Sequence, residues 1–207
     1  MPENLHKLFV ISSPSGGGKT SLINKLFEDT RSMNFKKSIS DTTRQKREGD
    51  INGRDYYFLS EKEFKDKIEK EEYVEYATVF GNFYGTSKEE IKTKYDNSNL
   101  VLELDWQGAY AVKELFDDAR LIFLVPPSLE DLKQRLVTRN LDSPESIENR
   151  LSEAKKEISK SEIYDYLILN DDFDKAFEDL SQILFESISA LDFDSRVHKD
   201  LIKRLVE

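Results

Sequence analysis

Apolar residues recur along this chain in two ways that alternate: short continuous runs, and stripes spaced three or four residues apart. The runs Leu8-Phe9-Val10-Ile11, Leu100-Val101-Leu102-Glu103-Leu104-Asp105, Arg120-Leu121-Ile122-Phe123-Leu124-Val125 and Tyr166-Leu167-Ile168-Leu169-Asn170 have the length and composition of strands buried on both faces. The stripes predict helices from Leu22 to near Asp29, around Phe64 and Ile68, from Ser87 to about Tyr95, from Gln107 to Phe116 and from Leu129 to about Arg139. Two more follow, one striped by Ile147, Leu151, Ala154 and Ile158, the other by Phe177, Leu180, Leu184, Ile188 and Leu191. Capping boxes mark two starts, Ser60 with Glu63 and Ser87 with Glu90, and Ser128 with Asp131 caps a third helix. Strands alternating with helices predict an α/β fold with a parallel sheet covered on both faces. Residues from about 35 to 95 break that pattern. There Phe35 to Ser40 is weakly strand-like, Asn52-Gly53 signals a hairpin turn into a strand over Asp55–Leu59, and Tyr73 to Val79 alternates like a strand up to a turn at Gly81-Asn82. A small lobe with antiparallel pairing is expected. Residues 192–207 carry Val197, Leu201 and Leu205, a short terminal helix or a partner contact.

Composition narrows the function classes. At 207 residues the chain suits one domain with small inserted lobes. Its net charge of −10 repels a polyanion such as DNA unless a local basic patch overrides it, which disfavours nucleic-acid binding and leaves a small phosphorylated ligand open. With no cysteine and two histidines, His6 and His198, thiol chemistry is excluded and histidine-based catalysis or metal binding disfavoured. Met1-Pro2-Glu3-Asn4 does not read as a leader, and the apolar run Leu121 to Val125 is too short to span a bilayer. A cytoplasmic protein with no membrane partner is expected.

The chemistry is densest just after the first strand. Ser12-Ser13-Pro14-Ser15-Gly16-Gly17-Gly18-Lys19-Thr20-Ser21 fits a phosphate-binding loop with one departure, Ser13 where the pattern asks for glycine. Glycines let successive amide N–H groups turn inward at one anion, and the following helix adds its positive end. Lys19 supplies a point charge for the β- and γ-phosphates, and the Thr20 hydroxyl suits Mg²⁺. Further along, Arg44 and Arg47 either converge on one phosphate or belong to a solvated basic loop. Glu75 shares a strand face with Tyr73 and Ala77, and is either a buried carboxylate awaiting a ligand or a solvent-face residue. Asp105, at the end of a core strand, is a Mg²⁺-facing or ligand-facing candidate whose plainer role is a strand-end cap. Arg135, Arg139 and Arg150, on two helices joined by the polar loop Asn140 to Ser143, suggest a lid closing over phosphate.

Taken together, a phosphate loop, a hairpin lobe and an arginine lid resemble a nucleoside monophosphate kinase. From 7 to 190 the chain is similar to the guanylate kinase family. The motifs carrying the likeness are Ser13 to Thr20, Ser40-Asp41-Thr42-Thr43-Arg44 with Arg47, Asn52-Gly53-Arg54-Asp55-Tyr56, Glu75-Tyr76-Ala77, Gly81 to Thr86, Leu104 to Gly108, and Asn170-Asp171.

The resemblance implies a three-layer P-loop fold with a parallel core, a mixed or antiparallel GMP-binding lobe and a helical lid. The corresponding division is core at 1–34, lobe at 35–97, core at 98–136, lid at 137–156, then core and terminal helices at 157–207. It implies Mg²⁺-dependent transfer of the ATP γ-phosphoryl group to GMP or dGMP in purine nucleotide metabolism, by a monomer or homodimer. Ser13, Pro14, Ser15, Gly16, Gly17, Gly18, Lys19, Thr20, Ser21 and Asn170 would hold ATP. For GMP, Arg44, Arg47, Tyr56 and Tyr84 would hold the phosphate, and Ser40, Glu75, Thr86 and Asp105 would read guanine. Lys19, Arg44, Arg135, Arg139 and Arg150 would carry catalysis, with Thr20 on Mg²⁺ and Asp105 a second candidate. Asn140 stands where the family commonly has glycine. The rival readings are a kinase of the same fold acting on AMP, UMP or a sugar phosphate, and an inactive module that binds proteins. Glu75, Thr86 and Asp105 argue against the first, and Lys19 against the second.

Overall fold

The first apolar run folds as strand β1 (Leu8–Ser12), buried along its whole length, in a computed structural model that describes residues 7–79, 81–95, 97–138 and 144–207. Helix α1 (Lys19–Glu28) follows, then β2 (Phe35–Lys37), β3 (Asp41–Thr42), β4 (Tyr57–Phe58), α2 (Glu61–Glu69), β5 (Tyr73–Val79), β6 (Asn82–Ser87) and α3 (Lys88–Tyr95). The chain continues through β7 (Asn99–Glu103), α4 (Trp106–Leu115), β8 (Arg120–Val125), α5 (Leu129–Thr138), α6 (Pro144–Ser159), β9 (Tyr166–Leu169), α7 (Phe173–Leu184) and α8 (Lys199–Val206). One sheet has the order β2-β7-β1-β8-β9, with β2–β7 and β8–β9 parallel, and a second has the order β4-β3-β6-β5. This is the α/β architecture that the alternation of runs and stripes predicts. Among the described residues, no helix is long and apolar enough to cross a membrane.

Contacts divide the chain into one unit of residues 34–119 with the start of β1, and another of residues 10–33 and 120–207. In the first, β5 and β6 form the expected antiparallel pair, Val79 opposite Asn82, with Gly81 at a φ of +77° that favours glycine. Ser60 and Glu63 exchange both bonds of the capping box at α2. That helix buries Phe64, whose ring stacks on Tyr73 at 4.6 Å and Phe83 at 5.3 Å. Three expectations change here. Residues 35–37 pair in parallel with β7, so they belong to the core sheet rather than to an antiparallel lobe. The strand expected over Asp55–Leu59 shrinks to β4, which lies parallel to β3, because Asn52-Gly53 closes a compact loop instead of a hairpin. In that loop Gly53 N–H donates to the Tyr56 carbonyl at 2.9 Å, and Asn52 Oδ1 accepts from Phe58 N–H at 2.9 Å. At α3, Ser87 Oγ accepts from Glu90 N–H, but the Glu90 carboxylate is drawn to Ile39 N–H at 2.7 Å, so only half a box forms.

In the second unit, Leu121 to Val125 of β8 are buried throughout. Ser128 Oγ accepts from Asp131 N–H at 3.0 Å to start α5, and Asp172 caps α7 by accepting from Lys175 N–H. The last apolar stripe ends sooner than its spacing predicts. Helix α7 stops at Leu184, and Leu191 is 98% exposed. The expected terminal helix forms as α8, which buries Leu205 and packs against α6. His6, Arg139, Asn140 and the rest of the loop to Ser143 lie outside the described residues.

Candidate functional site

The phosphate loop is built by steric exclusion. Gly16 and Gly18 have φ of +85° and +91°, a region that side chains resist. Gly17 donates its N–H to the Pro14 carbonyl at 2.8 Å, and a Cβ there would sit 2.8 Å from that same oxygen. Gly18 caps α1 with no side-chain oxygen, and no acidic residue stands in the helix's first turn, so its positive end is left to an anion. Lys19 is half-buried in that first turn and Thr20 is exposed beside it. Ser13 departs from the motif at little cost. Its φ is not positive, and its buried Oγ donates to the Pro14 carbonyl at 3.1 Å.

Asn170 fastens this loop. Standing just past β9 and 5% exposed, it donates Nδ2 to the Gly17 carbonyl at 2.7 Å, and its own carbonyl accepts Arg135 Nη2 from α5 at 3.0 Å. Three predicted residues, Gly17, Arg135 and Asn170, thus meet in one network. Arg150 is half-buried on α6, which Lys133 of α5 joins through Glu148 at 3.5 Å. We expect Gly18→Ala to disturb the network directly, since its Cβ would lie 2.5 Å from Asn170 Nδ2 at a φ suited to glycine. Urea unfolding should show a loss of about 1–3 kcal/mol.

In the other unit, β5 and β6 bring a polar quartet together. Glu75 pairs with Thr86 in the ladder, and Thr86 donates to its carboxylate from both hydroxyl and backbone. Ser40 Oγ lies 3.3 Å from Thr86 Oγ1. Gly108 of α4 passes so close that a Cβ would lie 2.9 Å from Glu75 Oε2, and Asp105, the N-cap of α4, accepts from Gly108 N–H at 2.9 Å. Ser40, Glu75, Thr86 and Asp105 therefore form one cluster, and Asp105 is also the helix cap its plainer reading foresaw. Glu75 is 6% exposed, which rules out the solvent-face alternative. Its Oε1 is buried with no protein partner, and burial pushes its pKa up to about 7 against the Thr86 bonds, with the Asp105 charge adding to the rise.

A second group stands beside it. The Arg44 guanidinium lies 5.3 Å from the Tyr56 ring, and Tyr56 meets Tyr84 edge-on at 5.8 Å. Burial first, then the Glu103 charge, raises the Tyr56 pKa, so its hydroxyl stays a neutral donor. Arg47 is exposed. The residue that sequence reasoning missed is Asp50. One of its oxygens accepts both Arg44 Nη2 and Arg47 N–H at 2.8 Å, and these bonds hold its carboxyl below the usual range. Gly108 is marked in the sequence as the end of the Leu104 to Gly108 motif, and its close approach to Glu75 emerges from the fold. Among the described residues, no group of three His, Cys, Asp or Glu could hold a metal ion.

The guanylate kinase family model matches residues 5–187 of the chain. Similar proteins include the guanylate kinase of Wolbachia sp. subsp. Brugia malayi, 47% identical over 184 residues covering 88% of this chain and 93% of that one. The guanylate kinase of Pseudoalteromonas translucida is 42% identical over the full length of both. Among solved structures, the crystal structure of guanylate kinase from Anaplasma phagocytophilum superposes with a TM-score of 0.73 at 35% identity, covering 89% of this chain and 87% of that one.

Proposed function

Because the chain belongs to the guanylate kinase family, we propose that residues 13–21 with Asn170 hold ATP, while Ser40, Arg44, Arg47, Tyr56, Glu75, Tyr84, Thr86 and Asp105 hold GMP. The reaction itself is that of the family: the γ-phosphoryl group of ATP passes to GMP, giving ADP and GDP. The observation that carries the guanine assignment is the buried, unpartnered Glu75 Oε1. A buried carboxylate oxygen without a donor is costly, and guanine offers the N1–H and N2–H pair that would satisfy an ionised carboxylate. Adenine presents no such pair.

In the transfer, a bond forms between a GMP phosphate oxygen and Pγ while the bond from Pγ to the β-phosphate oxygen breaks, and ADP leaves. The attacking oxygen is already ionised, so no general base is needed. Catalysis then consists of positioning and of neutralising charge on the phosphoryl oxygens by Lys19, the α1 N-terminus, Arg44, Arg135 and Arg150. Arg139 would join them. Mg²⁺ fits the exposed Thr20 hydroxyl beside the loop, because this ion is commonly held by few protein oxygens, with phosphates and waters completing its shell. When bound, it supplies further neutralisation of the phosphates. A coupled assay of ADP formation from Mg·ATP, with GMP, AMP, UMP and CMP offered separately, tests the reading. Turnover with GMP alone is expected. Comparable turnover with AMP would remove Glu75 as the reader of the base.

A further inference from the structure

Residues 188–207 lie beyond the stretch that the family model matches, yet one of them reaches the network under the phosphate loop. Arg196 Nη1 donates to Asp171 Oδ1 at 2.7 Å, and its Nη2 donates to the Leu169 carbonyl at 2.8 Å and to Asp179 Oδ2 at 3.2 Å. Leu169 and Asp171 flank Asn170, the residue bonded to Gly17 and Arg135. The segment leading to Arg196 is fixed along the same strand. Tyr166 OH donates to the Ile188 carbonyl at 2.8 Å, Ser195 Oγ donates to the Leu167 carbonyl at 2.6 Å, and Phe193 meets Tyr166 edge-on at 5.7 Å. Since β9 is an edge strand, side chains of Ser195 and Arg196 supply donors where a further strand would have.

We propose that Arg196 is a positioning residue for ATP: by gripping both neighbours of Asn170 it fixes that side chain, and through it the Gly17 carbonyl and the Arg135 guanidinium. This rests on the reading that residues 13–21 and Asn170 hold ATP. Arginine suits the task because its planar fork serves three acceptors at once, whereas a lysine ammonium is a point charge on a flexible stem. Arg196 also holds the Asp171 carboxyl below its usual range. Asp171 is 39% exposed in its side chain, so without Arg196 water can take over the freed bond. The fold then survives while the position of Asn170 loosens.

The test is steady-state kinetics, each substrate varied in turn, for the wild-type chain, Arg196→Ala, Arg196→Lys, Asn170→Ala and the double variant Arg196→Ala/Asn170→Ala. Arg196→Ala should raise the KM for ATP about tenfold and leave the KM for GMP unchanged, with Arg196→Lys in between. In the Asn170→Ala background, Arg196→Ala should add nothing. The proposal fails if Arg196→Ala, or Arg196→Lys should the first not fold, leaves the KM for ATP unchanged or shifts both KM values alike. It also fails if the two effects simply add. An unaltered KM for ATP in Asn170→Ala instead overturns the ATP-site reading beneath it.

Discussion

Lys19→Ala is expected to lower kcat by about a thousandfold or more, roughly 4 kcal/mol of transition-state stabilisation, while leaving the fold intact. Lys19 is the first residue of α1, immediately after the glycine whose positive φ ends the loop. Charge on the β- and γ-phosphates shifts as the Pγ–O bond breaks, and a fixed ammonium meets that change without reorganising solvent. The conformation of the loop comes from the glycines and from Asn170 on Gly17. Alanine is also the better helix former, so α1 loses nothing in propensity. Far-UV circular dichroism and urea unfolding should match the wild type while a coupled assay shows the collapse in kcat. Retention of kcat within tenfold in a folded Lys19→Ala protein would falsify the role assigned to the loop lysine.

The parts of this protein that were legible in its sequence are those set by local periodicity. β5 is read from strand-like alternation, and its Tyr73, Glu75 and Ala77 are buried on one face, while β8 is read from an unbroken apolar run that Pro126-Pro127 stops. The α2 capping box and the Gly81 turn likewise depend only on neighbours a few residues away. Misreadings occur where a distant partner decides. Asn52-Gly53 carries a hairpin signal, but Asn52 spends its side chain on Phe58 N–H, and β4 pairs with β3 instead. Glu90 has the spacing of a capping residue, but Ile39 takes its carboxylate. Asp41 reads as one polar residue among many in a loop motif, yet it is 4% exposed, accepting from Tyr73 OH at 2.8 Å and from the Lys67 ammonium.

The candidate site divides the same way. Its glycines, Lys19 and Glu75 announce themselves by motif and pattern. Asp50 and Arg196 do not, because an acid in a polar loop or an arginine in a terminal segment has no sequence mark until the fold shows what it touches. Whether Glu75 faced solvent or interior could not be decided from alternation alone, since either face of a strand satisfies it. The close approach of Gly108 and the bonds from Thr86 decide it.

That burial makes Glu75→Gln the second large effect, one in which stability and affinity should move in opposite directions. Burial raises the Glu75 pKa from the usual 4.5 to about 7 in the folded chain without GMP. A raised folded value means that the folded state binds the proton more tightly than the unfolded state. The associated stability is present below about pH 4.5 and is lost as pH rises through about 7, a loss of roughly 3 kcal/mol by linkage. Glutamine carries no charge to desolvate. Without GMP, Glu75→Gln should therefore be more stable than the wild type at pH 8 by up to about 3 kcal/mol, less whatever its amide loses for want of an acceptor. GMP affinity should fall by about 1–3 kcal/mol, because the amide N–H₂ faces guanine donors. Guanine held by Glu75 as proposed would favour the ionised carboxylate, so in the wild type GMP affinity should drop about tenfold between pH 8 and pH 6. The ligand's own phosphate titrates near pH 6. The ratio of wild-type to variant Kd removes that contribution and leaves the Glu75 share. Urea unfolding and GMP titration calorimetry on both proteins across pH 5.5–8.5 measure each quantity. A variant that is less stable at pH 8, yet binds GMP with the wild-type pH profile, would mean that Glu75 only props up its strand and that guanine is read elsewhere.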